Sequence, residues 1–315
     1  MKDANLAVLP RTWREAAARR REGSWSRVAR VTAPYLYLVP MVVLVGVFLL
    51  YPALDTIWVS FTRWDGINAP TFNGLHNYLQ FGSDPAFSTA FVNTLYWVAG
   101  IMLLQVGAGL LLAVVINASP LGGLFKRIIY LPHTISGAAI GVLWFAIYIP
   151  GQGMLNSALR FVHLGSLQHN WLTDPPINTF AMILAGIWQG MGPTMILFLV
   201  GLQHLPRDPL DAARMDGASA LQMFWYVTLP LLRPMTVVVV AISLINSFKV
   251  FDIVWVMTQG GPYRSSETLA VTMYRESFVS SDFGYGASVA VLLTAIVFVI
   301  SVPYIRSMFA RVEAN

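Results

Sequence analysis

Hydrogen-bonding and charged side chains interrupt runs of sequence that are otherwise apolar. His133, Thr134, Ser136 and Gly137 follow Pro132 in one run. Trp188, Gln189 and Gly190 break a second, and Asn246, Ser247, Lys249 and Asp252 a third. Asn93 and Thr94 stand near the outer end of a fourth. Such groups are costly in apolar surroundings and mark solute paths. The chemistry they offer is recognition by hydrogen bond, charge and ring face. Each also has a structural reading. Thr134 and Ser136 can bond their own helix, Trp188 can join an interfacial aromatic belt, and Gly190 and Gly192 can serve helix packing. Lys249 and Asp252, three residues apart on an expected helix face, can neutralise each other. Covalent chemistry has no comparable set. The five His are scattered, no Cys is present, and none of the three Lys follows a Gly in a P-loop arrangement.

The elements that must position these residues are membrane spans. The chain is 56% hydrophobic and 11% charged, against about 25% charged in soluble domains. Crossing a bilayer takes about 20 apolar residues, and six stretches qualify: about 35-58, 91-116, 128-149, 178-202, 231-257 and 285-309. An N-terminal tail, 1-33, precedes the domain at 34-309, and 310-315 follows it. Fifteen of the twenty Lys and Arg fall in the tail, the 118-127 and 203-234 loops and the C-terminal end, while four fall in the alternate loops. The positive-inside rule then puts both termini and the 203-234 loop in the cytoplasm of a multi-pass membrane protein. The net charge of +5 reflects orientation and membrane lipid, with no nucleic-acid partner expected.

The loop at 206-230 is polar and helix-punctuated. Asp208 is expected to N-cap a helix with Pro209 at its first position, Asp211 in its first turn and Gly217 as its stop. Ser219 with Gln222 reads as a capping box opening a second short helix at a new angle. Isolated helices need roughly 12 to 15 residues to be stable, so both should lie against something.

The spacing Asp211-Ala212-Ala213, three residues, Gly217, nine residues, then Val227, Leu229 and Pro230 resembles the EAA loop of ABC importer permeases, with Asp for Glu and Val for Ile. Three further tracts resemble the carbohydrate branch of that family: Arg127 to Asn156, Trp188 to Pro206, and Phe251-Asp252 running to Gly260-Gly261-Pro262. The resemblance implies an all-α membrane protein, a six-transmembrane-helix type I importer core whose cytoplasmic coupling helix carries Asp211, Ala212, Ala213, Arg214, Asp216, Gly217, Leu229 and Pro230. It implies a bacterial inner-membrane permease that moves a di- or oligosaccharide by alternating access. The implied partners are a second homologous permease, two ATP-binding subunits and an extracytoplasmic sugar-binding protein or lipoprotein. This chain would be non-catalytic and bind no cofactor; ATP and Mg would belong to the ATPase. His133, Thr134, Gly137, Trp188, Gln189, Asn246, Ser247, Lys249 and Asp252 then become candidates for the sugar path. Maltose or trehalose suits a path with one cation, Lys249, better than glycerol 3-phosphate, which favours Arg or several donors. An ion-coupled secondary transporter is a further alternative; it should show an inverted repeat and interrupted helices in matching positions, and no such symmetry is legible.

Overall fold

The computed structural model describes the backbone of residues 24–312 and the side chains of residues 35–302. The tail at 1-33 and the end at 310-315 lie outside the residues whose side chains are described. Two units divide the chain, Met1–Thr56 and Ile57–Asn315. From Ser24 the first is helical, and its apolar stretch, α1, runs Tyr35–Val59 across the boundary.

Four more helices are long and apolar enough to cross a membrane: α2 (Pro85–Ala118), α5 (Ile177–Gln203), an interrupted helix spanning Arg233–Thr258, and α11 (Phe283–Val312). The third expected span is not one helix. It is a pair, α3 (Gly122–Thr134) and α4 (Gly137–Tyr148), bent by 96°. Counting that pair as one span gives six among the described residues. The bend follows from local chemistry. Leu131–Thr134 tightens into a 3-10 turn around Pro132, Ile135 is extended, and the Ser136 hydroxyl accepts the Ala139 N–H to start α4 afresh. The fifth span is also broken, into α8 (Arg233–Phe248) and α9 (Asp252–Thr258). Between α5 and α8 lie two short helices, α6 (Arg207–Met215) and α7 (Ala220–Met223), and α10 (Leu269–Tyr274) precedes α11. A two-stranded hairpin, β1 (Thr62–Arg63) with β2 (Thr71–Phe72), follows α1.

Close packing of α2 on α5 rests on small residues, as bilayer interfaces require where no hydrophobic effect drives helices together. A Cβ at Gly186 would come within 2.6 Å of the Trp97 ring, and one at Gly190 would clash with Gln105 Oε1. Gly190 is thus a packing residue that admits Gln105, whose amide donates to Thr194 Oγ1 at 3.0 Å. Gln105 closes a π-helical turn, Ile101–Gln105.

Between α9 and α10 the backbone dips into the protein, and Ser266, Glu267 and Thr268 are fully buried. Its carbonyls are paired by spans. Asn93 donates to Ser265 O (2.7 Å) and Glu267 O (3.0 Å), Asn178 to Gly261 O (3.3 Å), and Thr94 Oγ1 accepts the Leu269 N–H (3.0 Å). Arg264 grips the Glu267 carboxylate through two bonds, 2.7 and 2.9 Å, and also meets Glu276 at 2.9 Å. Asn93 and Thr94, read from sequence as candidate path residues, hold this insert instead.

Asn93→Leu should therefore lower stability by about 1–3 kcal/mol, the cost of leaving buried carbonyls unpaired. Asn246→Leu, on an exposed face, should change it by less than about 0.5 kcal/mol. Thermal unfolding of the two variants in detergent checks the contrast.

Candidate functional site

Each broken span leaves a carbonyl without its helical donor, and in each case a neighbouring side chain replaces it. Gln189 Nε2 donates to Ile135 O at 2.9 Å, and Thr268 Oγ1 to Val250 O at 2.8 Å. Gln189 lies twelve residues beyond Ile177 in a helix of 27 residues, so the first break sits midway along α5. The second adjoins it. A Cβ at Gly137 would approach Asp252 Oδ2 to 2.9 Å, and one at Gly141 would reach Val256 Cβ at 2.9 Å. Gly137 and Gly141 thus let α4 run alongside α9, bringing the starts of both helices together. Asp252 opens α9 at that junction, where the unsatisfied N–H groups of two helix ends favour a carboxylate.

This arrangement corrects the expected Lys249–Asp252 pair. The two do not share a helix face, because the helix ends at Phe248 and restarts at Asp252. The four ion pairs among the described residues join Arg214 to Asp211, Arg264 to Glu267 and Glu276, and Arg275 to Glu267, and include neither.

Of the nine path candidates, five present exposed side chains: His133, Thr134, Asn246, Lys249 and Asp252. Gly137, Trp188 and Gln189 are half-buried. Thr134 bonds Leu131 O at 2.7 Å, and buried Ser247 bonds Leu244 O at 2.7 Å, so both hydroxyls satisfy their own helices. Trp188 stands edge-on to Trp144 at 5.8 Å and packs on the core. Among the described residues, His133, Asn246, Lys249 and Asp252 keep free polar groups.

Sequence reasoning passed over the aromatic wall beside the second break. Phe251 stacks on Trp255 at 5.6 Å, and Tyr274 meets them at 5.0 and 4.8 Å. Arg275 lies over the Trp255 ring at 5.6 Å. The spacing of four between Phe251 and Trp255 was a signal; the third ring comes from a separate helix and left none.

The 206-230 loop differs at its start from the expected form. Pro206 in extended backbone, φ −61° and ψ 139°, is the N-cap, and no side chain caps the helix. Asp208 therefore lies in the first turn, and Pro209 beside it, where a missing N–H has no helical acceptor to lose. The stop is as expected. Gly217 adopts φ +76°, its N–H bonds Arg214 O at 3.1 Å, and the Ala218 N–H bonds Ala213 O at 3.0 Å. Those two bonds form a Schellman motif. Ser219 and Gln222 form the reciprocal capping box, at 2.8 and 3.3 Å. No residue of α6 is buried. Asp211, Ala212, Arg214, Asp216 and Gly217 are exposed and Ala213 half-buried, while Met215, passed over in the sequence, is 88% exposed. Leu229 and Pro230 lie at the base.

Comparison with known proteins places this geometry. Residues 105–311 match the family described as binding-protein-dependent transport system inner membrane component. A probable ABC transporter permease of Pyrococcus horikoshii is 36% identical over 280 residues, 86% of this chain and 94% of the relative. An arabinooligosaccharide transport system permease of Bacillus subtilis is 31% identical, covering 87% of each. A chain of a bacterial alginate ABC transporter, solved with its pentasaccharide-bound periplasmic protein, shares the fold at TM-score 0.77 and 22% identity, over 89% of this chain and 94% of that one. With most of its length matched and its spans in the same architecture, the chain belongs to the inner-membrane components of binding-protein-dependent transport systems, as an ABC transporter permease.

Proposed function

We propose that the chain forms half of a translocation path for a di- or oligosaccharide and couples it to a separate ATP-hydrolysing subunit by alternating access. One observation carries the reading. His133, Asn246, Lys249 and Asp252 are exposed on a single chain at the level where two spans break, and such groups cannot rest against hydrocarbon. Water, solute and a second, homologous permease would cover them. The relatives named for arabinooligosaccharide and alginate transport support a sugar as cargo. Glycerol 3-phosphate is a poorer fit, because Lys249 is the one Lys or Arg among the path candidates.

The motor's seat is α6. A helix of 9 residues with none buried is too short to persist alone, so Asp211, Ala212, Ala213, Arg214, Asp216 and Gly217 would dock in an ATPase, with Leu229 and Pro230 as the root. ATP and Mg would bind that partner. The Lys and Arg asymmetry supports a cytoplasmic loop and cytoplasmic termini, and an extracytoplasmic binding protein or lipoprotein would deliver cargo to the opposite face.

Gly217→Pro cannot keep φ +76° and should abolish uptake in proteoliposomes containing the partner ATPase while the protein still inserts. Uptake at the unaltered rate would remove the elbow from the mechanism. His133→Ala, Asn246→Ala or Lys249→Ala should raise the sugar concentration for half-maximal ATPase stimulation by about tenfold, or change which sugar stimulates, as loss of a hydrogen bond to a polar ligand requires. An unchanged sugar profile in all three would return these residues to structural duty.

A further inference from the structure

A groove of about 720 Å³ runs along α8 from its start. Trp225, Leu229 and Arg233 stand at one end, and Val237, Val240 and Leu244 line its length. Among the described residues Arg233 forms no ion pair, and it is the groove's single charge. The dimensions suit one leaflet. Arg233 to Leu244 is eleven residues, about 16 Å of helix, close to half of a hydrocarbon core about 30 Å thick. The charged end also lies level with the end of a neighbouring span. Leu232 and Met235 pack where a Cβ at Gly201 would touch them at 2.8 Å, and Gly201 is two residues from the end of α5.

We infer that this groove is a binding site for one anionic phospholipid of the leaflet on the Asp211-loop side, its acyl chain lying along Val237, Val240 and Leu244 and its phosphate beside Arg233. A phosphate meeting a guanidinium at the bilayer surface forms paired, charge-assisted hydrogen bonds, and Trp225, 56% exposed, has the amphipathic ring that favours headgroup depth. A second groove nearby, about 590 Å³, shares Trp225 and Leu229 but is otherwise lined by residues such as Leu110, Leu111 and Val114, with no charge. It provides the control, since it offers an acyl chain the same apolar lining without a partner for the phosphate. The site touches Leu229 and Pro230, so lipid would border the root of the loop.

The test uses the assembled transporter in bilayers of equal phosphatidylglycerol and phosphatidylcholine. Val240→photo-leucine is irradiated and the adducts are identified by mass. Phosphatidylglycerol should be captured over phosphatidylcholine by about fivefold, the factor expected of one basic residue beside an anionic surface. Arg233→Gln should erase that preference, Arg233→Lys should keep most of it, and Val114→photo-leucine should show none. Equal capture of the two lipids with Arg233 intact, a preference that survives Arg233→Gln, or crosslinking to a partner polypeptide in place of lipid would each overturn the assignment.

Discussion

A backbone carbonyl inside a bilayer has no water to turn to, and the architecture of this permease follows from how it meets that constraint. An unbroken helix satisfies its own carbonyls. Here two spans are interrupted, and the groups thereby freed are taken up by side chains on neighbouring elements, Gln189 for Ile135 and Thr268 for Val250. Polar residues in the spans therefore divide into two kinds. Gln189, Asn93, Thr94 and Asn178 hold backbone; His133, Asn246, Lys249 and Asp252 have no such partner among the described residues. Hydropathy marks both alike, and only their partners separate them.

The same constraint explains the insert between α9 and α10. Irregular backbone within a membrane domain must be surrounded by protein, and the loop carrying Glu267 is buried among α2 and α5 donors with its carboxylate held by Arg264. Its shape is over-determined. The aromatic wall of Phe251, Trp255 and Tyr274 is fixed in turn, because Tyr274 stands on the helix that this loop launches.

Much of the fold was legible from residue types. Apolar runs located the spans, Gly217 marked a turn requiring positive φ, and Ser219 with Gln222 announced its capping box, since each signal is local and has a single physical cause. Asp208 misled because its short carboxylate suits both a cap and a first turn, and Pro206 pre-empted the first role by its own backbone angles. The spacing of Lys249 and Asp252 misled because periodicity presumes a continuous helix, and nothing within the apolar stretch itself signals that Thr268, far along the chain, waits to receive a broken one. Pro132 did signal a kink, but a 96° turn depends on Ser136 opening a new helix and on the donor that Gln189 brings from another span. The candidate path was thus visible as a set of residues and invisible as an arrangement.

From Ala220 to Phe248 the chain stays helical apart from the single turn residue Leu232, passing from α7 through a π-helical stretch and the short helix Leu229–Leu231 into α8. One end is the capping box beside the elbow and the other is the break at Lys249. Helical turns joined in this way pass a displacement from one to the next and yield where their hydrogen bonding stops. A displacement delivered at Ser219 would consequently reach the interruption, where Lys249 and Asp252 stand beside the start of α4.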